Sequence, residues 1–315
     1  MNKKHEFLLA ADSGGSKTDW ICLTQDGSIV KRFTTPGMAS LHVNMLPIRE
    51  YMQLCCKELQ DFPVKAVYLS LGGPNTDEIF NNLKQTFPGA VVLVEREASG
   101  DLVAACMEFL PCSAVVMAGT GITAIGFNTD GSRNFAEGWG PVYGDCGSGY
   151  WIGLQAVKTF LQSVDKIADA GRIPELFERE LKNLDVSQFA GRMELKKRIN
   201  ALSRRDVAAL TPQLVQLAGE GDRVSEKIIM QSAEHIAQIA AAVTPENGTV
   251  LMLGGLLKMN SDYRQLCKQH LQKLRPDCSW MWYENCNIGK MAAAKVLMLD
   301  NQKISLNIWE KIINE

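Results

Sequence analysis

Short apolar runs that end at glycine-rich loops dominate the first part of the chain. Residues 7–11 form a continuous apolar run that ends at Asp12 and a glycine loop, a pattern typical of a buried strand. A second strand is predicted at 20–24, and the pair Asp26-Gly27 predicts a hairpin turn into a third strand at 29–33. The glycine loop therefore joins two strands, and no helix follows it directly.

The same order of elements returns further along the chain. Residues 114–118 are an apolar run, a glycine loop follows, residues 122–127 predict the next strand, and residues 130–132 turn the chain back. The segments 24–28 and 128–132 occupy equivalent places in the two series. This pattern indicates an internal duplication whose period is too long for a solenoid. We therefore expect an α/β protein made of two related domains that face each other.

The remaining elements follow from the same periodicities. Strands are predicted at 67–71, 91–94 and 250–253, and the chain from Trp151 onwards is mainly helical. Asp222 is a good N-cap for the clearest helix. A helix is predicted before each of the strands at 67–71 and 91–94, and another from about residue 98 to 109. A further helix is predicted after residues 288–289, and an amphipathic helix at 304–313. We expect one domain at residues 1–115 and a second at residues 116–315, and the terminal helix of the chain is able to pack on the first domain.

Composition excludes several classes of function. A chain of 315 residues with 46% hydrophobic and 22% charged residues is an ordinary globular protein, long enough for two domains. A net charge of −2 argues against binding to nucleic acid. The first apolar run is too short for a signal peptide, and no stretch approaches membrane-spanning length. We expect a cytoplasmic protein with no membrane partner.

The nine cysteines and four histidines show no zinc-binding spacing. The cysteines form no Cys-x-x-Cys pair and the histidines are scattered, so reduced and mostly buried thiols are expected.

The first glycine loop carries the groups of a phosphate site. Glycines bring backbone N–H groups close to an anion, hydroxyls and a lysine add donors, and Asp12 at the strand end suits Mg²⁺. The candidate phosphate-binding residues are Ser13, Gly14, Gly15, Ser16, Lys17 and Thr18. An exposed hairpin turn would explain the same residues. The spacing is not that of a Walker A loop.

Two further glycine pairs fit a nucleotide. Gly119, Thr120 and Gly121 repeat the phosphate-binding chemistry in the second copy, although a tight turn explains them as well. Two such loops facing each other would hold a triphosphate from both sides. Gly254 and Gly255 close a buried strand and can lie flat against adenine or ribose, or can serve as a helix cap.

The segment 138–153 combines six glycines with two tryptophans. Aromatic faces such as that of Trp139 suit sugar rings, and Gly140 allows close approach. Asp145 is a candidate for binding a sugar hydroxyl or for ordering metal-bound water. The alternative is a glycine-rich loop with core tryptophans, Trp151 above all.

With these segments assembled, the chain resembles the BadF/BadG-type ATPases, and among them the N-acetylglucosamine kinases. The resemblance rests on residues 12–18, 119–126, 138–153 and 253–255, in family order over nearly the whole chain. It implies two duplicated actin-like (ribonuclease H-like) domains, with ATP and Mg²⁺ in a cleft between them. The function implied is ATP-dependent phosphorylation of an amino sugar by a homodimer.

The resemblance also implies a catalytic base. The family has an aspartate just before a helix, and Glu97 takes its place here. A carboxylate suits the role because phosphoryl transfer needs a base for the sugar hydroxyl proton. The alternative is that Glu97 sits in a first helical turn, favoured by the helix dipole.

The chain departs from the family pattern at two places. Cys146 replaces the glutamate usual after Asp145, and Ser40 replaces an asparagine at the sugar-binding turn, with Asn44 nearby. Ser40 joins Trp139, Gly140 and Asp145 as a candidate sugar ligand. Lost hydrogen bonds change discrimination between similar sugars.

Two other functions remain open at this point. One is an ATPase that activates a reductase or dehydratase through an iron–sulfur cluster, for which Cys112 and Cys146 are conceivable ligands. The other is a sugar sensor that kept the fold without the catalysis.

Overall fold

The computed structural model describes residues 6–14, 17–38, 48–60, 62–73, 76–301 and 303–315. Within these residues, ten strands form two five-stranded sheets. The strands are β1 (Phe7–Ser13), β2 (Lys17–Leu23), β3 (Ile29–Pro36), β4 (Val64–Leu71), β5 (Val91–Arg96), β6 (Ala114–Ala118), β7 (Ile122–Phe127), β8 (Arg133–Glu137), β9 (Thr249–Leu253) and β10 (Ser279–Trp282).

The helices are concentrated in the second half of the chain. They are α1 (Ile48–Glu58), α2 (Thr76–Thr86), α3 (Asp101–Cys106), α4 (Gly149–Val164), α5 (Glu178–Leu181), α6 (Phe189–Asn200), α7 (Arg204–Ala208), α8 (Thr211–Gly219), α9 (Arg223–Val243), α10 (Gly255–Met259), α11 (Ser261–Leu274), α12 (Ile288–Asn301) and α13 (Leu306–Asn314). Two 3-10 helices cover Glu97–Ser99 and Ile173–Phe177. No helix in the described ranges is long and apolar enough to cross a membrane.

The chain divides into two compact units, and the division differs from the expected 1–115 and 116–315. The first unit contains residues 1–111 and 283–315, and the second contains residues 112–282. The boundary falls before β6 because β6 pairs with β7 and β9 of the second sheet. Residues 283–315 belong to the first unit because α12 packs on β1 and β4.

The first sheet has the order β3-β2-β1-β4-β5. β1 lies antiparallel to β2 and parallel to β4. Alternate side chains of β1 point to opposite faces, so Leu9 and Ala11 enter a core with Ile79 and Leu83 of α2. The other face is covered by α12.

The second sheet repeats the first strand for strand. Its order is β8-β7-β6-β9-β10, so β6 to β10 correspond in turn to β1 to β5. Its core is formed largely with α4, α9 and α11. The Asp222 side chain caps α9 by accepting a hydrogen bond from Ser225 N at 2.8 Å, as predicted.

The hairpin turns of the two units have the same hydrogen bonds. Thr24 N donates to Ser28 O at 3.0 Å, and Asn128 N donates to Ser132 O at 2.9 Å. The glycines of the two turns, Gly27 and Gly131, have φ of 82° and 83°. The predicted duplication is confirmed in backbone detail.

Two predictions of local structure are corrected. The helix expected from about residue 98 to 109 is a 3-10 turn and a short α3, separated by Gly100 in the left-handed region (φ 79°). β10 is an additional strand that pairs parallel with β9.

Candidate active site

The first glycine loop is held by buried hydroxyl groups. Ser13 and Thr18 are 0% exposed, and their side-chain oxygens lie 2.8 Å apart. Ser13 Oγ also accepts a hydrogen bond from Met38 N at 3.0 Å. These two side chains therefore close the hairpin. A phosphate contact from this loop would come from backbone groups and from Lys17, whose ammonium lies 2.6 Å from Asp19 Oδ2.

Asp12 lies beside the loop, near the end of β1, and is half-buried. Burial raises the pKa of Asp12 well above its usual range. The negative charges of Glu97 and Asp19 raise it further, whereas Lys17 lowers it. Asp12 therefore stands in a negative and partly desolvated environment, which favours a proton or a cation.

Glu97 is the first residue of the 3-10 helix that follows β5, and it is half-buried. Burial raises the pKa of this carboxyl as well. It lies close enough to Asp12 for the two charges to interact. A carboxylate with a raised pKa is a stronger base than an exposed one, so Glu97 is suited to accept a proton.

The start of α12 lies against Asp12. A Cβ placed on Gly289 would lie 3.9 Å from Asp12 Cβ. Asn287 Oδ1 caps the helix by accepting a hydrogen bond from Lys290 N at 2.9 Å. Positive charge from the helix dipole is therefore available near the carboxyl group.

The acidic groups of this region fit a hydrated Mg²⁺. The described residues contain no group of three or more His, Cys, Asp or Glu side chains arranged to hold a metal ion directly. Mg²⁺ usually keeps several waters and takes only one or two carboxylates from the protein. Ser70 of β4 is the strand partner of Asp12, and its hydroxyl is buried without a hydrogen-bond partner among the described residues. Such a group suits a metal-bound water.

The second glycine loop is attached to the start of α4. Gly149 N donates to Gly119 O at 2.9 Å, and Tyr150 N donates to Thr120 O at 3.1 Å. Ser148 caps α4 by accepting from Trp151 N at 3.2 Å. Within the described residues, the amides of Thr120 and Gly121 have no hydrogen-bond partner. These two amides are available to an anion.

Asp145 supports this loop. It is 3% exposed, its Oδ1 accepts from Ile122 N at 3.0 Å, and its Oδ2 forms an ion pair with Arg204 of α7. Glu137 Oε2 accepts from Asp145 N at 2.7 Å. Because both carboxylate oxygens are engaged within the second unit, Asp145 is placed to position the loop. A direct bond from it to a sugar or metal would require Arg204 to leave.

Gly254 and Gly255 occupy different environments. Gly254 has φ 108°, and a Cβ there would overlap the carbonyl oxygen of Ala118. Only glycine fits this close approach of α10 to β6. A Cβ on Gly255 would meet no atom of the described residues within 4 Å, so this part of the structure leaves room for a flat ligand.

The side chain of Trp139, the predicted aromatic sugar-binding group, is largely exposed. Trp139 is 79% exposed and stands between two glycines with positive φ, Gly138 and Gly140. Trp151 is only half-buried and packs against the core of the second unit.

Two cysteines considered as cluster ligands lie in unreactive surroundings. Cys112 is 5% exposed, and burial raises its pKa to about 11. Burial, followed by Glu137, raises the pKa of the half-buried Cys146 thiol. A raised thiol pKa reduces the thiolate fraction that binds metals.

A family comparison decides where the chain belongs. The model of the BadF/BadG/BcrA/BcrD ATPase family matches residues 11–274. The chain belongs to this family. Membership implies that this BadF/BadG/BcrA/BcrD-family protein uses ATP.

Two curated relatives are sugar kinases by name. An N-acetyl-D-glucosamine kinase from Dictyostelium discoideum is 22% identical over 331 residues, which cover 95% of this chain and 99% of that protein. An N-acetylmuramic acid/N-acetylglucosamine kinase from Clostridium acetobutylicum is 30% identical over 131 residues, 41% of each chain.

Solved structures confirm the fold class predicted from the sequence. A provisionally named N-acetylglucosamine kinase from Chromobacterium violaceum superimposes with a TM-score of 0.71 at 18% identity, covering 93% of this chain and 99% of that one. A ROK family glucokinase from Streptomyces griseus, solved with glucose and AMPPNP, gives a TM-score of 0.56 at 14% identity, covering 94% and 100%. At these identities the likeness shows the fold alone.

Some candidate site residues of this family member lie outside the described ranges, and two residues near the site have no local sequence motif of their own. Gly15, Ser16, Ser40 and Asn44 lie outside the described residues. Arg204 and Ser70 emerge only from the structure. Arg204 is far from Asp145 in sequence, and Ser70 sits inside an apolar strand with no glycine or charge beside it. The adjacent Leu-Gly-Gly of residues 71–73, which repeats at residues 253–255, is the signal that could have drawn attention to Ser70.

Proposed function

We propose that the chain is an ATP-dependent amino-sugar kinase that transfers the γ-phosphoryl group of ATP to a hydroxyl of N-acetylglucosamine or a related hexosamine. Family membership and the names of the curated relatives support the proposal. The observation that carries it is the pair of interacting, half-buried carboxyl groups of Asp12 and Glu97, near the ends of β1 and β5, which lie on either side of β4. The Asp12 carboxyl group suits a hydrated cation, and the Glu97 carboxyl group suits a general base.

Glu97 is proposed as the general base. Its carboxylate would accept the proton of the sugar hydroxyl while that oxygen forms a bond to the γ-phosphorus. The bond between the γ-phosphorus and the bridging oxygen breaks, and ADP leaves with the electron pair. Positioning and charge neutralisation supply most of the rate in such transfers.

The other residues have binding roles in this proposal. Asp12 would hold Mg²⁺, which neutralises phosphate charge during transfer. Backbone groups of residues 13–18, with Lys17, and the free amides of Thr120 and Gly121 would bind phosphate oxygens. Gly254 and Gly255 would lie against the adenosine.

Three residues are proposed to contact the sugar directly. Trp139 would stack on the ring, Gly140 would allow its approach, and Ser40 would donate or accept a hydrogen bond. Asp145 would act by fixing the loop of Gly119 to Gly121, since its Oδ1 accepts a hydrogen bond from Ile122 N. Recognition of hydroxyl and amide groups by hydrogen bonds gives strong discrimination between sugars.

The proposal is tested with a panel of sugars. Purified protein with Mg²⁺ and ATP should release ADP faster when N-acetylglucosamine or another hexosamine is added, and the product should be a sugar phosphate by mass spectrometry. Glucose without an amino group and buffer alone serve as controls. If no sugar of a broad panel stimulates ADP release, the kinase proposal fails.

We also propose that the protein acts as a cytoplasmic homodimer. Light scattering coupled to gel filtration should give twice the mass of the 34.8 kDa chain. A mass of one chain over the working concentration range would contradict this.

A further inference from the structure

Four polar side chains lie side by side across the first sheet. In the strand register, Asp19 of β2 is opposite Asp12 of β1, Asp12 is beside Ser70 of β4, and Ser70 is beside Glu95 of β5. Residues paired in this way point to the same face of a sheet. That face is covered by α12, whose Gly289 lies next to Asp12. We call these four residues the polar row.

The second sheet shows that the fold does not require a polar row. Counted from the matching hairpin turns at 24–28 and 128–132, the positions equivalent to Asp19, Asp12 and Ser70 are Thr123, Met117 and Leu253. None of these three residues is charged, and the two that match Asp12 and Ser70 are apolar. Since the two sheets have the same strand order, the polar groups of the first sheet reflect something other than its architecture.

The outer members of the row are satisfied by protein partners. Glu95 Oε2 accepts from the Tyr68 hydroxyl at 2.8 Å, and Glu95 Oε1 lies 3.7 Å from the Lys295 ammonium. Asp19 Oδ1 accepts from Thr34 Oγ1 at 3.0 Å, and its other oxygen pairs with Lys17.

The two central members have no such partners. Ser70 is 1% exposed, and its Oγ forms no hydrogen bond with the described residues. The Asp12 carboxyl group likewise accepts no hydrogen bond from any of the residues described. A buried hydroxyl without a hydrogen-bond partner destabilises the folded state. Two adjacent unsatisfied groups at the centre of a satisfied row point to a polar ligand between or above them.

We propose that Ser70 is a positioning residue of the cation site, where its hydroxyl holds a water molecule in the coordination shell of the Mg²⁺ that Asp12 binds. The proposal rests on the proposed function, because ATP brings the cation. A metal-bound water can donate a hydrogen bond to Ser70 Oγ, while the Ser70 hydroxyl donates towards Asp12. Side chains behind the ligands of a metal typically change its affinity by 10–100-fold when they are removed.

The test measures cation binding directly. Mn²⁺ serves as the probe, titrated into the full-length protein with ADP and without sugar, and free Mn²⁺ is followed by electron paramagnetic resonance. Ser70→Ala should weaken Mn²⁺ binding by about tenfold, whereas Ser70→Thr, which keeps a hydroxyl, should retain most of the affinity. Ser70→Cys keeps the volume with a poorer hydrogen-bonding group and should resemble Ser70→Ala.

A matched control is available in the second unit. Ser225 is 0% exposed, and its Oγ is likewise without a partner among the described residues. Ser225→Ala should leave Mn²⁺ binding unchanged. Thermal melts without the metal test whether Ser70→Ala disturbs the packing of the protein. Because the hydroxyl it removes has no partner among the described residues, Ser70→Ala should be at least as stable as the native protein.

The outcomes distinguish this inference from the proposed function. Native Mn²⁺ affinity in both Ser70→Ala and Ser70→Cys would overturn the role of Ser70, whatever the sugar panel shows. If Ser70→Ala does not fold, the comparison of Ser70→Cys with Ser70→Thr decides. A failed sugar panel with intact, Ser70-dependent Mn²⁺ binding would refute the kinase proposal and leave the cation site standing.

Discussion

Glu97 combines the position and the environment of a general base. It follows β5 directly, and its pKa is raised by burial. We predict that Glu97→Gln lowers kcat for sugar phosphorylation by about 10²–10⁴-fold and leaves ATP binding nearly unchanged. Because the base must be ionised, kcat of the native protein should fall as the pH drops through the raised pKa of Glu97. Steady-state kinetics over a pH series measures kcat, and calorimetry measures the affinity for ATP.

An exposed glutamate of the same unit provides the control for Glu97. Glu108 lies outside the region of Asp12 and is exposed, so Glu108→Gln removes the same charge without touching the proposed base. It should retain the native kcat. Full activity of Glu97→Gln would place the base elsewhere. Asp101, in the first turn of α3, would be tested before Glu95, whose two oxygens are already engaged by Tyr68 and Lys295.

Asp12 is expected to reduce stability in the absence of a cation. Its folded-state pKa is raised, so the folded protein holds the proton more tightly than the unfolded chain. The free energy of unfolding therefore falls as the pH rises from the usual range of an aspartate through the raised pKa. We predict that Asp12→Asn melts on the order of 2–4 °C higher than the native protein at neutral pH, which corresponds to about 1 kcal/mol.

The same experiment contains its own control. At a pH below about 3.9, the usual aspartate value, both proteins carry a neutral side chain at position 12 and the difference should vanish. Asp12→Asn should also lose the stabilisation that Mg²⁺ and ADP give the native protein. A lower melting temperature at neutral pH would mean that the charge of Asp12 is stabilised by contacts, contrary to the burial described above.

At the scale of elements, the end of β9 shows how two adjacent glycines differ. A Cβ on Gly254 would overlap Ala118 O, and its φ of 108° disfavours any other residue, whereas a Cβ on Gly255 meets open space. We predict that Gly254→Ala lowers the free energy of unfolding by about 2–4 kcal/mol from overlap and backbone strain. Gly255→Ala, at the first position of α10, should change it by less than about 0.5 kcal/mol. Chemical denaturation of both variants measures the difference.

Equal stability of the two variants would contradict the close approach of α10 to β6. The binding of ATP adds a second comparison. If adenosine lies against Gly255, the methyl group of Gly255→Ala should raise the KM for ATP although the fold is intact.

The strands that sequence reasoning located have clear local signals. β1, β6 and β7 are apolar runs bounded by glycine, and the turns at Gly27 and Gly131 have the residues that a hairpin needs. β10 was missed because its four residues (Ser-Trp-Met-Trp) are too few to show a periodicity, and pairing with β9 makes it a strand. Among the candidate site residues, Asp12 and Glu97 were found by motif. Ser70 and Arg204 depend on contacts between distant parts of the chain, which no local pattern records.

At the scale of the whole molecule, the first unit is completed by the end of the chain. Lys311 of α13 pairs with Asp26 at 3.0 Å, and Ile29 N donates to Glu315 Oε2 at 3.1 Å. The first hairpin turn is therefore held by the last helix, whereas a Cβ on Gly131 of the second turn would meet none of the described residues within 4 Å. Sequence reasoning predicted a mainly helical chain from Trp151 onwards and a terminal helix able to pack on the first domain. It did not place α12 in the first unit, which follows from the packing of α12 on β1 and β4.

The contribution of α13 to the first unit can be measured at one position. Ile312 is 0% exposed, and Leu306 of the same helix is 57% exposed. We predict that Ile312→Ala lowers the free energy of unfolding of the first unit by about 2–4 kcal/mol, because it removes buried methyl groups and leaves a cavity. Leu306→Ala should change it by less than about 0.5 kcal/mol. Hydrogen exchange resolves the effect by segment: Ile312→Ala should speed exchange in β1 to β3 while β6 to β8 keep native protection, because none of the described helices lies against Gly131 of the second turn. Equal acceleration in both sets of strands would show that the two units unfold together and that α13 does not act on the first unit alone.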